Sequence, residues 1–491
     1  SSIELFAFRR NQIMNTKFKI VFLILIAIMI NNTAAQDVLD RTKPPKPGPP
    51  KDVHFPDYFD TTLPNGINVL VIENSKIPAV SVRLVFKNAG STFDGSKYGL
   101  SSLTAELLTK GTTHRDATQI AEEIDFIGGN LNAGSDWDGS YVSLSVLKKH
   151  LAAGIDVLAD VVLNPVFSEE EISRVKEQRL SSILQSKDDA GHLSDRMFNK
   201  MVFGDFPYGN PAEGTEEIVK ELVKQDFENF YKGNYYASNL IIAFVGDITK
   251  DEALNLVEEK FSSLPKDGAN NITEFKFDEP DTYKNVYLVN KPGAVQSNLK
   301  IGHKGIARNN PDYIAVTIMN TILGGYFGSR INYNLREKHG FTYGARSSFG
   351  PRLLTGDFSV DTDVRNDVTD SAITYIIDDL KKIVAEEVTD EEMEMVKNYM
   401  TGVFPLQLET ANAVASRVIN LKLYNLPRDY YNKYISTINN LSKKDILEAA
   451  KKYIHPDRLV IVVSGDASAV KDKLKKFGEV KVYDANGIEI N

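Results

Sequence analysis

Two stretches of the same design decide the fold of this chain: Leu240-Ile-Ile-Ala-Phe-Val-Gly-Asp247 and Leu459-Val-Ile-Val-Val-Ser-Gly-Asp466. Each is an apolar, β-branched run that is typical of a buried strand, and each ends in Gly-Asp. The order of strands and helices that precedes the first stretch is repeated before the second. A repeat of this length indicates tandem domains, because the units of solenoids span only about 20–50 residues.

The segments around these stretches alternate between the periodicities of strands and helices. Two long helices are each opened by an N-capping signal, Ser168-Glu-Glu-Glu and Thr389-Asp-Glu-Glu. Predicted strands are 68–72, 80–86, 141–146, 285–289, 297–301 and 358–362, and predicted helices are 151–163, 250–261, 311–323 and 368–386. The pattern predicts an α+β fold of two tandem homologous domains, each a mostly antiparallel sheet with helices packed on one face.

Composition excludes several classes of function. The chain has 491 residues with 57 basic and 66 acidic side chains, so its net charge is −9. This balance disfavours a nucleic-acid partner, which would require a basic face. There is no cysteine, which excludes disulfides, thiolate nucleophiles and cysteine-ligated zinc.

The N-terminal residues predict export. The apolar run Val21–Ile30 follows Lys17 and Lys19 and precedes Thr33-Ala-Ala35, the pattern of a secretory signal cleaved after Ala35. A transmembrane anchor is the alternative, but the run falls short of the roughly 20 apolar residues that a spanning helix needs. We therefore expect a periplasmic or secreted protein with no membrane span after cleavage.

The predicted domain organisation follows from these signals. It consists of a leader and signal peptide (1–35), a Pro-rich linker (36–55), an N-terminal domain (56–270) and a C-terminal domain (271–491).

Two further stretches carry a family resemblance. They are Lys97-Tyr-Gly-Leu-Ser-Ser-Leu-Thr-Ala-Glu-Leu-Leu-Thr-Lys-Gly-Thr112 and Leu323-Gly-Gly-Tyr-Phe-Gly-Ser-Arg-Ile-Asn-Tyr-Asn-Leu-Arg-Glu-Lys-His-Gly-Phe-Thr-Tyr343. Both resemble the M16 (insulinase/pitrilysin) metallopeptidase family in its short bacterial form. The resemblance spans about Pro56 to Asp484 and implies the M16 peptidase-like (LuxS/MPP-like) fold.

The resemblance also shows what is missing. Active members carry His-x-x-Glu-His on one helix, with two zinc ligands and a general base. The matching positions here are Ser102, Ala105 and Glu106, which a helical wheel places away from the leucine stripe of the same helix. The third ligand, a glutamate in active members, falls near Ile183 or Leu184. No two of the seven histidines are closer than 36 residues, so no local substitute site exists. We expect no metal and no other cofactor in this chain.

A second pair of family residues is retained. Arg336 and Tyr343 match an arginine and a tyrosine that reach the zinc cleft in family members and stabilise the oxyanion of the transition state. We expect Arg336 in the last turn of a helix, Gly340 to end that helix, and Tyr343 to begin a strand. The alternative is structural, with Arg336 paired to a nearby carboxylate or a helix C-terminus and Tyr343 an ordinary strand aromatic.

The resemblance assigns weaker roles elsewhere. Asn132, Ala133 and Gly134 match the place where family members bind peptide by strand addition, although an ordinary hairpin edge explains them as well. Trp137 is a candidate interface, substrate or core residue. Arg330 is expected to support helix packing, with a substrate carboxylate contact as the alternative.

Three functions remain open at this stage. The favoured one is the non-zinc subunit of a heterodimeric M16 peptidase, which supplies Arg336 and Tyr343 to a homologous partner that carries His-x-x-Glu-His and binds zinc. The second is a catalytically inactive M16-like scaffold or peptide-binding protein. The third, an autonomous hydrolase with unrelated catalytic residues, lacks any sequence signature.

Overall fold

The first β-sheet is built from the first half of the chain. The computed structural model describes residues 53–268, 275–277, 282–283 and 285–490, and the predicted leader and signal peptide lie outside this range. Within it, the strands of this sheet are β1 (Phe59–Thr62), β2 (Asn68–Glu73), β3 (Ala79–Phe86), β4 (Asn130–Ser135), β5 (Ser140–Leu147) and β6 (Leu240–Gly246). They lie in the order β1-β2-β6-β3-β5-β4. Only β2 and β6 pair in parallel among these described strands.

The second sheet repeats this arrangement. Its strands are β7 (Asn285–Asn290), β8 (Gln296–Lys304), β9 (Ala345–Pro351), β10 (Gly356–Arg365), β11 (Val460–Gly465), β12 (Glu479–Tyr483) and β13 (Glu489–Ile490). The order is β13-β12-β7-β11-β8-β10-β9, so the run β7-β11-β8-β10-β9 matches β2-β6-β3-β5-β4 of the first sheet. In both sheets the strand that ends in Gly-Asp pairs in parallel with the first strand of the run. The prediction of two tandem homologous domains is confirmed.

Helices surround both sheets. Those of the first half are α1 (Leu100–Leu107), α2 (Ala117–Phe126), α3 (Leu151–Leu163), α4 (Glu169–Ser186), α5 (Ala190–Phe203), α6 (Glu216–Glu221), α7 (Lys224–Asn234) and α8 (Lys250–Phe261). Those of the second half are α9 (Tyr313–Asn320), α10 (Arg330–Asn332), α11 (Thr369–Ala385), α12 (Asp390–Leu406), α13 (Ala411–Leu423), α14 (Tyr430–Asn440), α15 (Lys443–Tyr453) and α16 (Ala467–Leu474).

Local signals set several of these bounds. The predicted helices 151–163 and 250–261 coincide with α3 and α8. The Ser168 hydroxyl accepts the Glu171 N–H at 3.3 Å, and Thr389 forms a reciprocal capping box with Glu392, so both long helices begin where predicted. The predicted helix 311–323 is shorter as an α-helix, because after Asn320 the chain continues as a π-helical turn over Thr321–Gly325.

Each half sends one helix onto the sheet of the other half. Helix α5 packs Leu193, Met197 and Phe198 against Tyr287 and Val462 of the second sheet. Helix α13 packs its own apolar residues against the first sheet, namely Val414, Ala415, Val418 and Ile419 against Leu70, Ile72, Ile241, Ala243 and Val245. One face of each sheet therefore carries helices of its own half, and the other face is covered by the exchanged helix.

A repeated lysine contact shows how closely the halves match. Lys176 of α4 donates to the carbonyls of Lys220 (2.9 Å) and Leu222 (2.6 Å), at the end of α6. Lys397 of α12 donates in the same way to two carbonyls at the end of α14, at 2.8 and 2.7 Å. These carbonyls end a helix and have no intrahelical partner, so both lysines satisfy the same need. Burial lowers the pKa of both ammonium groups.

The folded body begins before the predicted end of the linker. Phe55 is buried, its ring stacks on Tyr431 with 5.0 Å between centroids, and its N–H donates to Asn432 at 3.0 Å. The linker therefore ends before Phe55, not after it. None of the helices in the described part of the chain is long and apolar enough to cross a membrane.

Candidate functional site

Helix α1 carries the degenerate zinc motif, and a buried carboxylate fixes its first turn. The backbone N–H groups of Gly99 and Ser101 each donate to Asp94 at 2.8 Å. Gly99 has φ +91°, a conformation that favours glycine. Burial raises the pKa of Asp94 to about 7, against the opposing effect of these hydrogen bonds. The first turn of α1 is thus held by two hydrogen bonds to one buried carboxyl group.

The three motif positions do not share one open face. Ser102 and Glu106 are half-exposed, as the helical wheel predicted. The prediction was wrong for Ala105, which is fully buried. The side chain at this position is therefore packed in the interior and does not face the solvent beside Ser102 and Glu106.

The guanidinium group of Arg179 bridges the two remaining motif positions, Ser102 and Glu106. Arg179 of α4 donates from Nη1 to Ser102 Oγ (3.1 Å) and to the carbonyl of Glu213 (3.1 Å), and from Nη2 to Glu106 Oε2 (3.2 Å). Its side chain is only 15% exposed. A fixed cation bridging two of the ligand positions repels a metal ion electrostatically. These residues do not fit a zinc ion.

The position of the third ligand offers no substitute. Ile183 is buried, and Leu184 is 63% exposed; neither side chain can coordinate a metal. Among the described residues, no cluster of three or more His, Asp or Glu side chains could hold a metal ion. Arg179 lies one helical turn before Ile183, and nothing in the sequence distinguished it from an ordinary charged residue of a surface helix.

Arg336 is held in place, and part of its hydrogen-bonding capacity is unused. It lies in the π-helical turn Tyr333–Lys338 that continues α10. Its guanidinium stands over the ring of Phe327, 4.4 Å from the centroid, and Nη1 lies 3.4 Å from Glu337 Oε1. Within the described residues Nη1 has no hydrogen-bond acceptor. Phe327 is itself 70% exposed, so this arrangement lies at the protein surface.

Tyr343 projects from a loop. Gly340, with φ +61°, ends the helical segment as predicted. The chain reaches β9 only at Ala345, so the prediction that Tyr343 begins the strand was wrong by two residues. Tyr343 is 92% exposed, and no hydrogen bond of its hydroxyl occurs within the described part of the chain. An ordinary strand aromatic would pack against the sheet, and this one does not.

The loop that presents Tyr343 is fixed at its base. The Asn332 amide donates to the carbonyl of Phe327 at 2.6 Å and accepts the N–H of Ala345 at 2.9 Å. Nearby, the Thr342 and Thr362 hydroxyls lie 3.0 Å apart. The exposed tyrosine therefore stands on an anchored segment.

The other predicted residues also have definite places. Arg330 forms two hydrogen bonds to Glu392 at the start of α12, at 2.6 and 2.7 Å, a bidentate pair that joins two helices. This supports the packing role. None of the hydrogen bonds, ion pairs or ring contacts among the described residues joins Arg336 or Tyr343 to the degenerate motif on α1.

Asn132, Ala133 and Gly134 lie on β4, the edge strand of the first sheet. Their backbone groups pair with β5 on one side only, so the other side could accept an extended peptide. Gly134 faces Tyr141, and a Cβ atom at Gly134 would lie 2.6 Å from its hydroxyl oxygen. The tyrosine ring thus covers the space that a larger side chain would occupy.

Trp137 lies at the contact between the two halves of the chain. It lies in the turn between β4 and β5, and the guanidinium of Arg352 from the second half stands 3.9 Å above its ring. In the same turn, Asp138 accepts the N–H of Leu353 at 2.8 Å and the hydroxyl of Tyr208 at 2.5 Å. The outer hairpins of the two sheets therefore meet at this point, and Trp137 contributes to the contact between them.

Comparison with known proteins agrees with this architecture. The family model "Insulinase (Peptidase family M16)" matches residues 68–216, and "Peptidase M16 inactive domain" matches residues 221–400. An "Uncharacterized zinc protease" of Rickettsia felis is 28% identical over 79% of this chain and 93% of its own length. The "Non-peptidase homolog YmxG" of Helicobacter pylori is 23% identical over 83% of this chain and 93% of its own length.

A solved structure shows the same fold. The peptidase M16 inactive domain from Pseudomonas fluorescens superposes with a TM-score of 0.80 at 27% identity, covering 84% of this chain and 99% of that one. Both halves of the fold, both family models and the surviving sequence strings agree: the chain belongs to the M16 (insulinase) peptidase family.

Proposed function

We propose that this chain is the non-zinc subunit of a periplasmic or secreted M16 heterodimeric metallopeptidase. In this proposal Arg336 and Tyr343 reach the zinc site of a homologous partner that carries His-x-x-Glu-His. The observation that carries the proposal is the exposure of Tyr343 on an anchored loop, where its hydroxyl has no hydrogen-bond partner among the residues that the structure describes. A fold that needed this side chain only for packing would bury it.

The chemistry of the pair suits the role. Attack on a peptide carbonyl develops negative charge on the carbonyl oxygen, and donors aimed at that oxygen stabilise the transition state more than the ground state. Tyr343 offers one phenolic donor. Arg336 offers a guanidinium whose side chain is 33% exposed; its Nη1 is buried beside Glu337, so the donors available to a substrate are among its other nitrogens. Phe327 and Glu337 hold the group without using up its donors.

The degenerate motif explains why a partner is needed. Arg179 occupies the space between Ser102 and Glu106, and Ala105 cannot act as a general base. This half of the chain retains the edge strand β4 beside α1, so it could hold a peptide without cutting it. We expect the peptide substrate to bind by strand addition at Asn132, Ala133 and Gly134.

A catalytically inactive scaffold or peptide-binding protein is the alternative. Two observations support this alternative. The bridge from Arg179 to Glu106 is also compatible with a protein that has no catalytic role, and the Helicobacter pylori relative is named a non-peptidase homolog. The two proposals differ in one point, whether the exposed Tyr343 hydroxyl contributes to hydrolysis by a complex.

A co-expression experiment tests this point. The chain is produced with a homologous chain that carries His-x-x-Glu-His, and peptide hydrolysis by the purified complex is measured. Tyr343→Phe removes one hydroxyl from an exposed side chain, and we expect kcat to fall roughly 10²–10³-fold, as for loss of one oxyanion donor. Tyr333→Phe is the matched control, because Tyr333 is also exposed (61%) and lies ten residues away. Equal activity of both variants would favour the scaffold.

The proposal includes export of the protein and cleavage of a signal peptide after Ala35. The signal peptide and most of the Pro-rich linker lie outside the described residues, so their role rests on the sequence pattern. N-terminal sequencing of the exported protein should find Gln36 as the first residue. Retention of residues 14–35 in the mature protein would contradict cleavage after Ala35.

A further inference from the structure

Asn332, the last residue of α10, is a buried polar side chain within the segment that carries Arg336 and Tyr343. It is only 3% exposed, whereas the side chains of Phe327 and Tyr343 are largely exposed. Burying an amide costs free energy unless its polar groups are hydrogen-bonded. An apolar side chain would fill an interior position without that cost, so the amide serves a purpose other than packing.

Both polar groups of Asn332 bind backbone outside its own helix. The side-chain N–H donates to the carbonyl of Phe327 at 2.6 Å, and the side-chain oxygen accepts the N–H of Ala345 at 2.9 Å. These partners lie five residues before and 13 residues after Asn332. One amide thus joins the segment that precedes α10 to the first residue of β9.

The two bonded backbone positions adjoin the two residues of the proposed catalytic pair. The ring of Phe327 lies under the guanidinium of Arg336, with 4.4 Å between the guanidinium carbon and the ring centroid. Ala345 begins β9 two residues after Tyr343. A shift of either backbone position therefore moves one member of the pair relative to the other. Misplacing a catalytic group by about 1 Å can cost about 10²-fold in rate.

Side chains of β10 hold the same loop in a different way. Thr362 donates to the carbonyl of Gly344 at 3.0 Å, and Arg365 donates to the carbonyl of Gly340 at 3.1 Å. These contacts set the place of the loop on the sheet. Asn332 instead sets its place relative to the helical segment that carries the proposed catalytic arginine.

We propose that Asn332 is the positioning residue of this pair, because its amide fixes the place of Tyr343 relative to Arg336. Asn332 is buried, so it acts through these two residues and does not itself meet a substrate. The catalytic consequence rests on the proposed function. The structural part, that Asn332 holds the first residue of β9, can be tested in the isolated chain.

Hydrogen exchange of the isolated chain tests the structural part. Asn332→Ala removes both hydrogen bonds, and we expect the amide of Ala345 to exchange at least about threefold faster, the effect of losing one net hydrogen bond. Asn239→Ala is the matched control, because Asn239 is 1% exposed and also bonds to two backbone groups, the carbonyl of Asn234 at 2.8 Å and the N–H of Asn88 at 3.1 Å. Equal exchange at Ala345 in the two folded variants would overturn the proposal.

The catalytic part is measured in the complex with a chain that carries His-x-x-Glu-His. We expect Asn332→Ala to lower kcat roughly 10–10²-fold. The KM should change little, because the proposed peptide-binding strand β4 lies in the first half. When Asn332→Ala is combined with Tyr343→Phe, the loss should be smaller than the product of the two separate losses, since one residue acts through the other. A loss equal to that product would show that Asn332 acts independently and would overturn its role.

A second variant keeps the test open if the alanine variant does not fold, which circular dichroism checks. Asn332→Ser retains a polar group, but one hydroxyl is too short to bond to both backbone segments. The same faster exchange and lower kcat are therefore expected. Wild-type kcat in a folded Asn332→Ser complex would contradict the proposal.

The results also separate this proposal from the proposed function. If Tyr343→Phe lowers kcat while Asn332→Ala matches Asn239→Ala, the role of Asn332 fails and the proposed function stands. If Tyr343→Phe retains full activity, the proposed function fails together with the catalytic role of Asn332. The exchange rate at Ala345 then still decides whether Asn332 holds the start of β9.

Discussion

Replacing Arg179 by methionine should destabilise the first half of the chain more than its position on a surface helix suggests. The guanidinium makes three hydrogen bonds, to Ser102, to Glu106 and to the carbonyl of Glu213, at 3.1–3.2 Å. A hydrogen bond to a charged group contributes about 1.5–3 kcal/mol when buried. Glu106 is 35% exposed, so solvent reduces that ion pair to at most about 1 kcal/mol. Ser102 and Glu213 are also partly exposed, so each of the other two hydrogen bonds contributes no more than about 1 kcal/mol, and the expected total loss in free energy of unfolding is about 2–3 kcal/mol.

Arg174→Met is the matched control for this prediction. Arg174 lies on the same helix, but its side chain is 42% exposed, and its ion pair is with Glu171 one turn away. An exposed pair of this kind contributes less than about 1 kcal/mol. Both variants keep the aliphatic part of the side chain, and urea unfolding followed by far-UV circular dichroism compares them. If the two losses agree within about 0.5 kcal/mol, the bridge across the degenerate motif does not stabilise the fold as argued.

Two further perturbations test other parts of the structure. Hydrogen bonds from four neighbours outweigh the effect of burial and lower the pKa of Asp160 from 3.8 to about 2. The ionised carboxylate therefore stabilises the folded state by roughly 2 kcal/mol above pH 4, and this contribution is lost as the pH falls through 2. The stability difference between wild type and Asp160→Asn, measured by urea unfolding, should therefore shrink between pH 5 and pH 2.5, and a constant difference would contradict the assignment. Gly246 has φ +132°, and a Cβ atom there would lie 2.1 Å from the carbonyl oxygen of Ala79, so Gly246→Ala should cost about 3 kcal/mol or more. Gly402→Ala, at an open helical position, should instead stabilise by up to about 1 kcal/mol; similar melting shifts for the two variants would contradict this reasoning.

The elements that were predictable depend on local chemistry. Apolar β-branched runs such as those of β6 and β11 favour strands through their local propensity, and a serine or threonine before acidic residues caps a helix in each half. The lack of zinc-binding side chains at the motif positions Ser102 and Ala105 was also readable, because metal binding needs particular side chains at particular spacings. The retained arginine and tyrosine could be located by the family resemblance, although the exposure of Tyr343 could not.

Features that depend on residues far apart in sequence were not predictable. The apolar face of α5 is equally compatible with packing on either sheet, so the exchange of helices between the halves leaves no local signal. Arg179 lies 77 residues from Ser102, and only the folded chain shows that it bridges Ser102 and Glu106. The contact between Trp137 and Arg352 could not be predicted either, because Arg352 belongs to the second half of the chain.

Zinc content measured together with peptidase activity tests the central claim most directly. The isolated chain should retain no zinc after dialysis and should cleave no peptide. Its complex with a partner that carries His-x-x-Glu-His should contain one zinc ion and lose activity when that ion is chelated. Stoichiometric zinc in the isolated chain, with proteolysis that chelators abolish, would contradict the account.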